Sequence, residues 1–200
     1  MLVATTNAHK LREIRGLLAS ADLTLASLAD LPPIAEPDET GETFEDNARL
    51  KALYYDAHLA SCDLPAGTLT VAEDSGLVID ALDGEPGVRS ARFVRPEATY
   101  PERFDEIQRR LAARPDRPRT ARFVCALAAV RAGSLVFETT GTVEGTIATA
   151  AGGSAGFGYD PIFYVPAYGC TLAEVSEEKK LRVAHRGQAF RALSAWLGKA

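Results

Sequence analysis

Cysteine is scarce in this chain of 200 residues: Cys62, Cys125 and Cys170, odd in number and far apart. No C-x-x-C pair stands among them, which argues against a zinc site or a disulfide framework and fits a reducing compartment. Histidine is equally sparse, at three residues without a cluster, so metal binding through imidazole is disfavoured. The chain lacks a long apolar run, and Met1-Leu2-Val3-Ala4-Thr5-Thr6-Asn7 is no basic leader, so neither a transmembrane helix nor a signal peptide is expected. Excess positive charge is missing too. Lys and Arg number 22 against 27 Asp and Glu, a net charge of −5. That disfavours nucleic acid or a membrane surface as a partner, while a small basic pocket remains open. No G-x-x-x-x-G-K-[ST] string occurs, which removes a Walker-type phosphate loop.

Hydrophobic residues make up 46% and charged residues 24%, ordinary values for a globular protein. A chain of this size buries roughly 70% of its unfolded surface and needs no staple for a core. One domain over residues 1–200, with or without two lobes, is expected. Leu2 to Thr5 reads as a buried strand, and Asn7 as the cap of a helix to about Ala19. Asp30 to Thr43 reads as a loop. Thr43 and Asp46 resemble a capping box opening a helix with Phe44, Ala48, Ala52, Tyr55 and Leu59 on one face. Strands are expected at Thr68–Ala72, Thr120–Val130, Leu135–Thr140 and Thr142–Thr149, and helices at Tyr100–Ala113 and from about Arg186. An early parallel-type unit and a later hairpin point to an α/β fold with a mixed sheet.

Five stretches carry chemistry-bearing residues. Thr5-Thr6-Asn7-Ala8-His9-Lys10 joins a strand to a helix N-terminus, where free N–H groups and Lys10 favour an anion. An ordinary capped turn accounts for the same residues. Glu36 to Thr43 crowds acids into a loop; they are either solvated or oxygen ligands for a hard cation. Lys51, one turn after Asn47, has the phase to reach inward. In Glu73-Asp74-Ser75-Gly76, two acids are expected to end an apolar strand, suited to a metal, to general-base work or merely to a turn. Gly152 to Pro161 places Phe157 and Tyr159 between glycines, with Asp160 as an acceptor. The aromatic faces suit a base, the glycines close approach. Lys180, His185 and Arg186 are donors before the last helix, for a keto oxygen, a phosphate or a simple cap.

The strings ATTNAHKLREI, ETGETFEDNARLKA, EDSGL, PGVRSARF, GFGYDPIF and EEKKLRVAHRGQA stand in order over nearly the whole chain. Together they resemble the ITP/XTP pyrophosphatase family, the Ham1-like non-canonical purine nucleoside-triphosphate pyrophosphatases. The resemblance implies an ITPase-like elongated mixed sheet flanked by helices, two lobes with a central cleft, and a cytoplasmic homodimer using Mg²⁺. It implies cleavage of ITP, dITP and XTP to the monophosphate and pyrophosphate, which cleanses the nucleotide pool. Position by position, Asp74 matches the catalytic acid and a metal ligand, and Glu39 the second metal carboxylate. Thr5, Thr6, Asn7, Ala8, His9 and Lys10 match the phosphate turn, and Lys51 and Ser75 further substrate contacts. Phe157, Gly158, Tyr159, Asp160, Lys180, His185 and Arg186 match the base and sugar side. Glu73 stands where many members carry Asp, Ala155 replaces a common glycine, and Ala184 a serine. A Maf-like nucleotide pyrophosphatase and a non-catalytic nucleotide sensor are the competing readings. The Glu-Thr-Gly and Gly-Phe-Gly-Tyr-Asp-Pro blocks argue against the first, and the presence of both Glu39 and Asp74 against the second.

Overall fold

The computed structural model describes residues 1–19 and 23–199. It is an α/β fold on a mixed sheet, as the sequence leads one to expect. Seven strands are β1 (Leu2–Val3), β2 (Ala26–Ser27), β3 (Thr70–Ile79), β4 (Thr120–Arg131), β5 (Ser134–Ile147), β6 (Phe163–Val165) and β7 (Cys170–Thr171), hydrogen-bonded in the order β2-β1-β3-β4-β5-β6-β7. The α-helices among the described residues are α1 (Ala8–Leu17), α2 (Phe44–His58), α3 (Tyr100–Ala112), α4 (Glu177–Val183) and α5 (His185–Leu197). The chain divides into two compact units. The first holds Met1–Asp74, Cys125–Gly141 and His185–Ala200; the second Ser75–Val124 and Thr142–Ala184.

In the first unit β1 pairs in parallel with both β2 and β3, Leu2 lying opposite Ala26 and Thr70. Parallel neighbours need a crossover, and α1 supplies it between β1 and β2. The Asn7 side chain caps α1 by accepting the N–H groups of His9 and Lys10. Ile14 of α1, Phe190 and Leu193 of α5, and Val71 of β3 share one core, each 0 or 1% exposed. Burying such side chains stabilises the unit by about 1.5–3 kcal/mol each. Gly141 lies in β5 where a Cβ would run into the carbonyl oxygen of His185, so only glycine lets the strand pass the start of α5.

The second unit has its own core. Ile107 and Leu111, one turn apart on α3, meet Phe123 of β4, Ile147 of β5 and Phe163 of β6. Thr99 and Glu102 form a capping box that starts α3, with Pro101 in its first turn. β5 pairs antiparallel with β6, and β6 with β7.

Two expectations need correction. Glu73-Asp74-Ser75-Gly76 does not end a strand. It lies in the middle of β3, which runs ten residues: β1 pairs only with Thr70 and Val71 at its start, and the strand continues within the sheet beside β4, where strand pairing overrides the turn preference of Asp, Ser and Gly. The strands expected at Leu135–Thr140 and Thr142–Thr149 are one, β5, with Gly141 inside it.

Candidate active site

Glu73 and Asp74 are neighbours on β3, so their side chains leave opposite faces of the strand. Each enters a different cluster, and both clusters belong to the first unit.

The Asp74 cluster is built by α2. Thr43 caps this helix by accepting the Asp46 N–H. Asn47 and Lys51 then stand one turn apart on the same face. Lys51 Nζ donates to Asp74 Oδ1 at 2.8 Å and to Glu39 Oε1 at 2.9 Å. Asn47, fully buried, donates to Asp74 Oδ2 at 3.3 Å and accepts the Gly41 N–H at 2.8 Å, which ties the acidic loop to the helix. Burial raises the Asp74 carboxyl above its ordinary value; Lys51 opposes this and Glu39 adds to it. For Lys51, burial would lower the ammonium, but Asp74 and Glu39 outweigh it and raise it. Both partners shift upward because one ammonium faces two carboxylates: the lysine stays charged while the acids compete for it.

The Glu73 cluster is more deeply buried. Glu73 Oε1 accepts Lys10 Nζ at 2.9 Å and Arg186 Nη2 at 3.2 Å, while Oε2 accepts the Cys125 thiol at 3.1 Å. Arg186, 2% exposed, also pairs with Glu13. Burial alone would raise Glu73, but Arg186 and Lys10 prevail and hold it well below the usual carboxylate range. Burial holds the Cys125 thiol well above its ordinary value.

The turn Thr5 to Lys10 supplies Lys10 to the Glu73 cluster. Asn7 Oδ1 accepts the amides of His9 at 3.0 Å and Lys10 at 3.1 Å, and the Asn7 N–H donates to Thr5 Oγ1 at 3.2 Å. The Thr6 hydroxyl donates to Glu36 at 2.8 Å. Thr6, Asn7, Ala8 and His9 are exposed. His185 opens α5 as a buried residue.

In the second unit Asp160 is the centre. Its Oδ2 accepts the Phe157 N–H at 2.8 Å and Lys180 Nζ at 2.7 Å. Both partners of the Lys180–Asp160 pair are buried, and the Lys180 ammonium stands over the Phe157 ring, 4.9 Å from its centre. Gly158 follows with φ +67°. Tyr159 was expected to offer an open ring face. Instead it is 4% exposed, packs in the core and donates its hydroxyl to the Ser90 carbonyl at 2.8 Å. Ser75 follows Asp74 on β3, half-buried.

The structure thus gathers Glu39, Lys51 and Asp74 in one cluster, Lys10 and Arg186 in a second, and Phe157, Asp160 and Lys180 in a third. Arg186, read from the sequence as a donor near the base, has its guanidinium on Glu73 and Glu13. Sequence reasoning did not single out Asn47, Glu13 or Cys125 as part of these clusters. The one signal for Glu13 was its place three residues after Lys10 on the same helix face.

Among the described residues no group of three or more His, Cys, Asp or Glu side chains gathers as a ready metal-ligand set. Glu39 and Asp74 still fit a hard cation. Both are oxygen donors, and both already converge on one positive charge, the Lys51 ammonium.

An α/β frame that gathers two carboxylates around a half-buried ammonium, with an anion-type turn on the same unit, has the parts of a hydrolase acting on a highly charged substrate. The chain belongs to the Ham1 family, whose model matches residues 1–196. It is 42% identical over 198 residues to a dITP/XTP pyrophosphatase of Halalkalibacterium halodurans, covering 98% of this chain and 97% of the relative. It is 43% identical over 195 residues to a dITP/XTP pyrophosphatase of an Exiguobacterium species, covering 98% and 95%. Among solved structures, the HAM1 protein of Coxiella burnetii is similar with a TM-score of 0.87 and 36% identity, over 100% of this chain and 98% of that one.

Proposed function

We propose that this chain is a nucleoside-triphosphate pyrophosphohydrolase. It cleaves the non-canonical purine nucleotides ITP, dITP and XTP to the monophosphate and pyrophosphate, clearing them from the nucleotide pool. The observation that carries the reading is the buried Asp74, held between Lys51 and Asn47 with Glu39 on the same ammonium. The relatives named dITP/XTP pyrophosphatase support it over nearly the full chain.

Asp74 accepts the proton of the attacking water. A carboxylate with an ordinary value of about 3.9 is a poor base near neutrality, and the raised carboxyl of Asp74 moves towards the useful range. Lys51 orients Asp74 and adds a fixed positive charge for the polyphosphate. Glu39 and Asp74 would hold Mg²⁺, which when bound neutralises phosphate charge and lowers the pKa of a water. In the first unit Thr5, Thr6, Asn7, Ala8, His9 and Lys10 serve the phosphates, and Glu73 keeps Lys10 in place. His185 stands on the base side, and Arg186, its guanidinium committed to Glu73 and Glu13, holds the carboxylate that orients Lys10. In the second unit Ser75 is a substrate contact. Phe157 supplies a ring face for the base, its position set with Gly158 and Tyr159 by the Asp160–Lys180 pair. A site built to pair a keto oxygen rejects an amine by roughly 10⁴–10⁵, because the amine leaves the donors unpaired. The family resemblance further supports one two-lobed domain, a homodimer and a cytoplasmic location.

Pyrophosphate release from ITP, XTP, dITP, ATP and GTP, with Mg²⁺ and with chelator, tests the reading. Metal-dependent release from the inosine and xanthosine nucleotides alone is expected. No release from any of them would refute it.

A further inference from the structure

We propose that Arg103 is a positioning residue for base selection: through the Ser90 carbonyl it fixes Tyr159, and with it the Phe157–Asp160 loop. The proposal rests on the function assigned above and concerns the second unit alone.

Arg103 occupies a core position. On α3 it falls in one row with Ile107 and Leu111, and it is 4% exposed. Among the described residues no carboxylate pairs with it, and its Nε has no hydrogen-bond partner. A buried cation without a counter-charge is costly, and an aliphatic side chain of similar length would fill the same row without that cost. What the guanidinium adds is directed donation. Nη1 points to the Ser90 carbonyl at 3.4 Å and Nη2 to the Pro96 carbonyl at 3.2 Å, while the plane stands 5.0 Å from the centre of the Tyr100 ring.

Ser90 is the junction these bonds serve. Its carbonyl accepts both Arg103 and the Tyr159 hydroxyl, the latter at 2.8 Å. Its own hydroxyl accepts the Leu77 N–H at 2.9 Å and donates to the Gly87 carbonyl at 2.6 Å. β3, the 3-10 turn Gly87–Arg92, α3 and the aromatic loop therefore meet at one residue. The Tyr159 ring is held from the other side by Tyr100, edge to face at 5.4 Å, and Tyr100 is the ring on which Arg103 rests. Tyr159 immediately precedes Asp160, the acceptor for both Phe157 and Lys180. Moving Tyr159 moves the ring and the acceptor assigned to the base.

The test is steady-state kinetics of wild type, Arg103→Met, Arg103→Lys and Tyr159→Phe on ITP, XTP, GTP and ATP with Mg²⁺, beside thermal melting of each. Arg103→Met is expected to raise KM for ITP, and to erode the kcat/KM preference for ITP over GTP, by about 10-fold, the scale of an altered pocket wall. Its kcat at saturation should change far less. Arg103→Lys, which keeps one donor but not the fork, should fall between. Tyr159→Phe removes only the hydroxyl and should shift the same preference, and it carries the test if Arg103→Met does not fold. A lowered melting temperature with KM and preference unchanged in the folded variants would overturn the proposal. A wild type inactive on ITP and XTP would overturn the function itself.

Discussion

Lys51 and Asp74 meet at 2.8 Å, with 14% and 9% of their side chains exposed, and Glu39 shares the same ammonium at 2.9 Å. One cation between two acids explains why the Asp74 carboxyl rises although a lysine touches it: burial and the second acid outweigh the ion pair.

Asp74→Asn keeps the shape and the Asn47 contact but removes the proton acceptor. Turnover on ITP should fall by roughly 10² or more, as for a lost general base, with KM changed much less. Initial rates of pyrophosphate release check this, and near-normal turnover would remove Asp74 from the reaction.

Lys51→Met leaves Asp74 and Glu39 facing each other without their cation. Loss of one charge-assisted contact, about 1.5–3 kcal/mol, should raise KM for ITP by 10-fold or more. The same variant should melt at a lower temperature and regain more of it on adding Mg²⁺ than the wild type does, because the two carboxylates then lack a competing ammonium. Calorimetry with and without the metal reads this directly.

Glu73 sets an acid limit to stability. Its carboxyl is lower in the folded chain than its ordinary 4.5, so the unfolded chain binds more protons as pH falls through that range. The stability it contributes is therefore complete above about 4.5 and lost as pH drops below, through the folded value. Glu73→Gln should be less stable than wild type at pH 7, by about 3–5 kcal/mol for a broken buried pair. The difference should shrink on acidification. Melting curves from pH 7 down to 3 measure it, and a constant difference would contradict the assignment.

Gly156 has φ +75°, and a Cβ there would strike Asp160 Oδ2. Gly156→Ala should push Asp160 away from Lys180 and the Phe157 amide. A stability loss of about 1–3 kcal/mol is expected from the overpacking, together with a higher KM for ITP. An unchanged melting temperature and KM would show that the loop adapts.

Much of the local structure was legible. Asn7 announces the cap of α1, the Phe44, Ala48, Ala52, Tyr55 stripe announces the buried face of α2, and the helix expected at Tyr100–Ala113 is observed at Tyr100–Ala112. The strand through Glu73 and Asp74 was not legible past Ala72. Acids, serine and glycine read as a turn, and only the pairing of β3 within the sheet keeps them extended. Gly141 broke one strand into two on paper for the same reason. β6, β7 and α4 are three, two and seven residues long, too short for a periodic pattern to declare itself.

The sequence by itself determined the family, through six strings in order, and the local devices that start helices, because capping and periodicity act over a few residues. It also singled out Asp74, Glu39 and Lys51, which meet in one cluster. Only the tertiary structure decided who pairs with whom. Glu73 and Asp74 adjoin in sequence yet serve separate clusters, since consecutive strand residues face opposite sides. Glu13 and Arg186 stand 173 positions apart and meet because α1 and α5 pack on one core. No local rule carries that distance: such a contact forms when strand pairing and burial of the shared core repay the entropy of closing the chain.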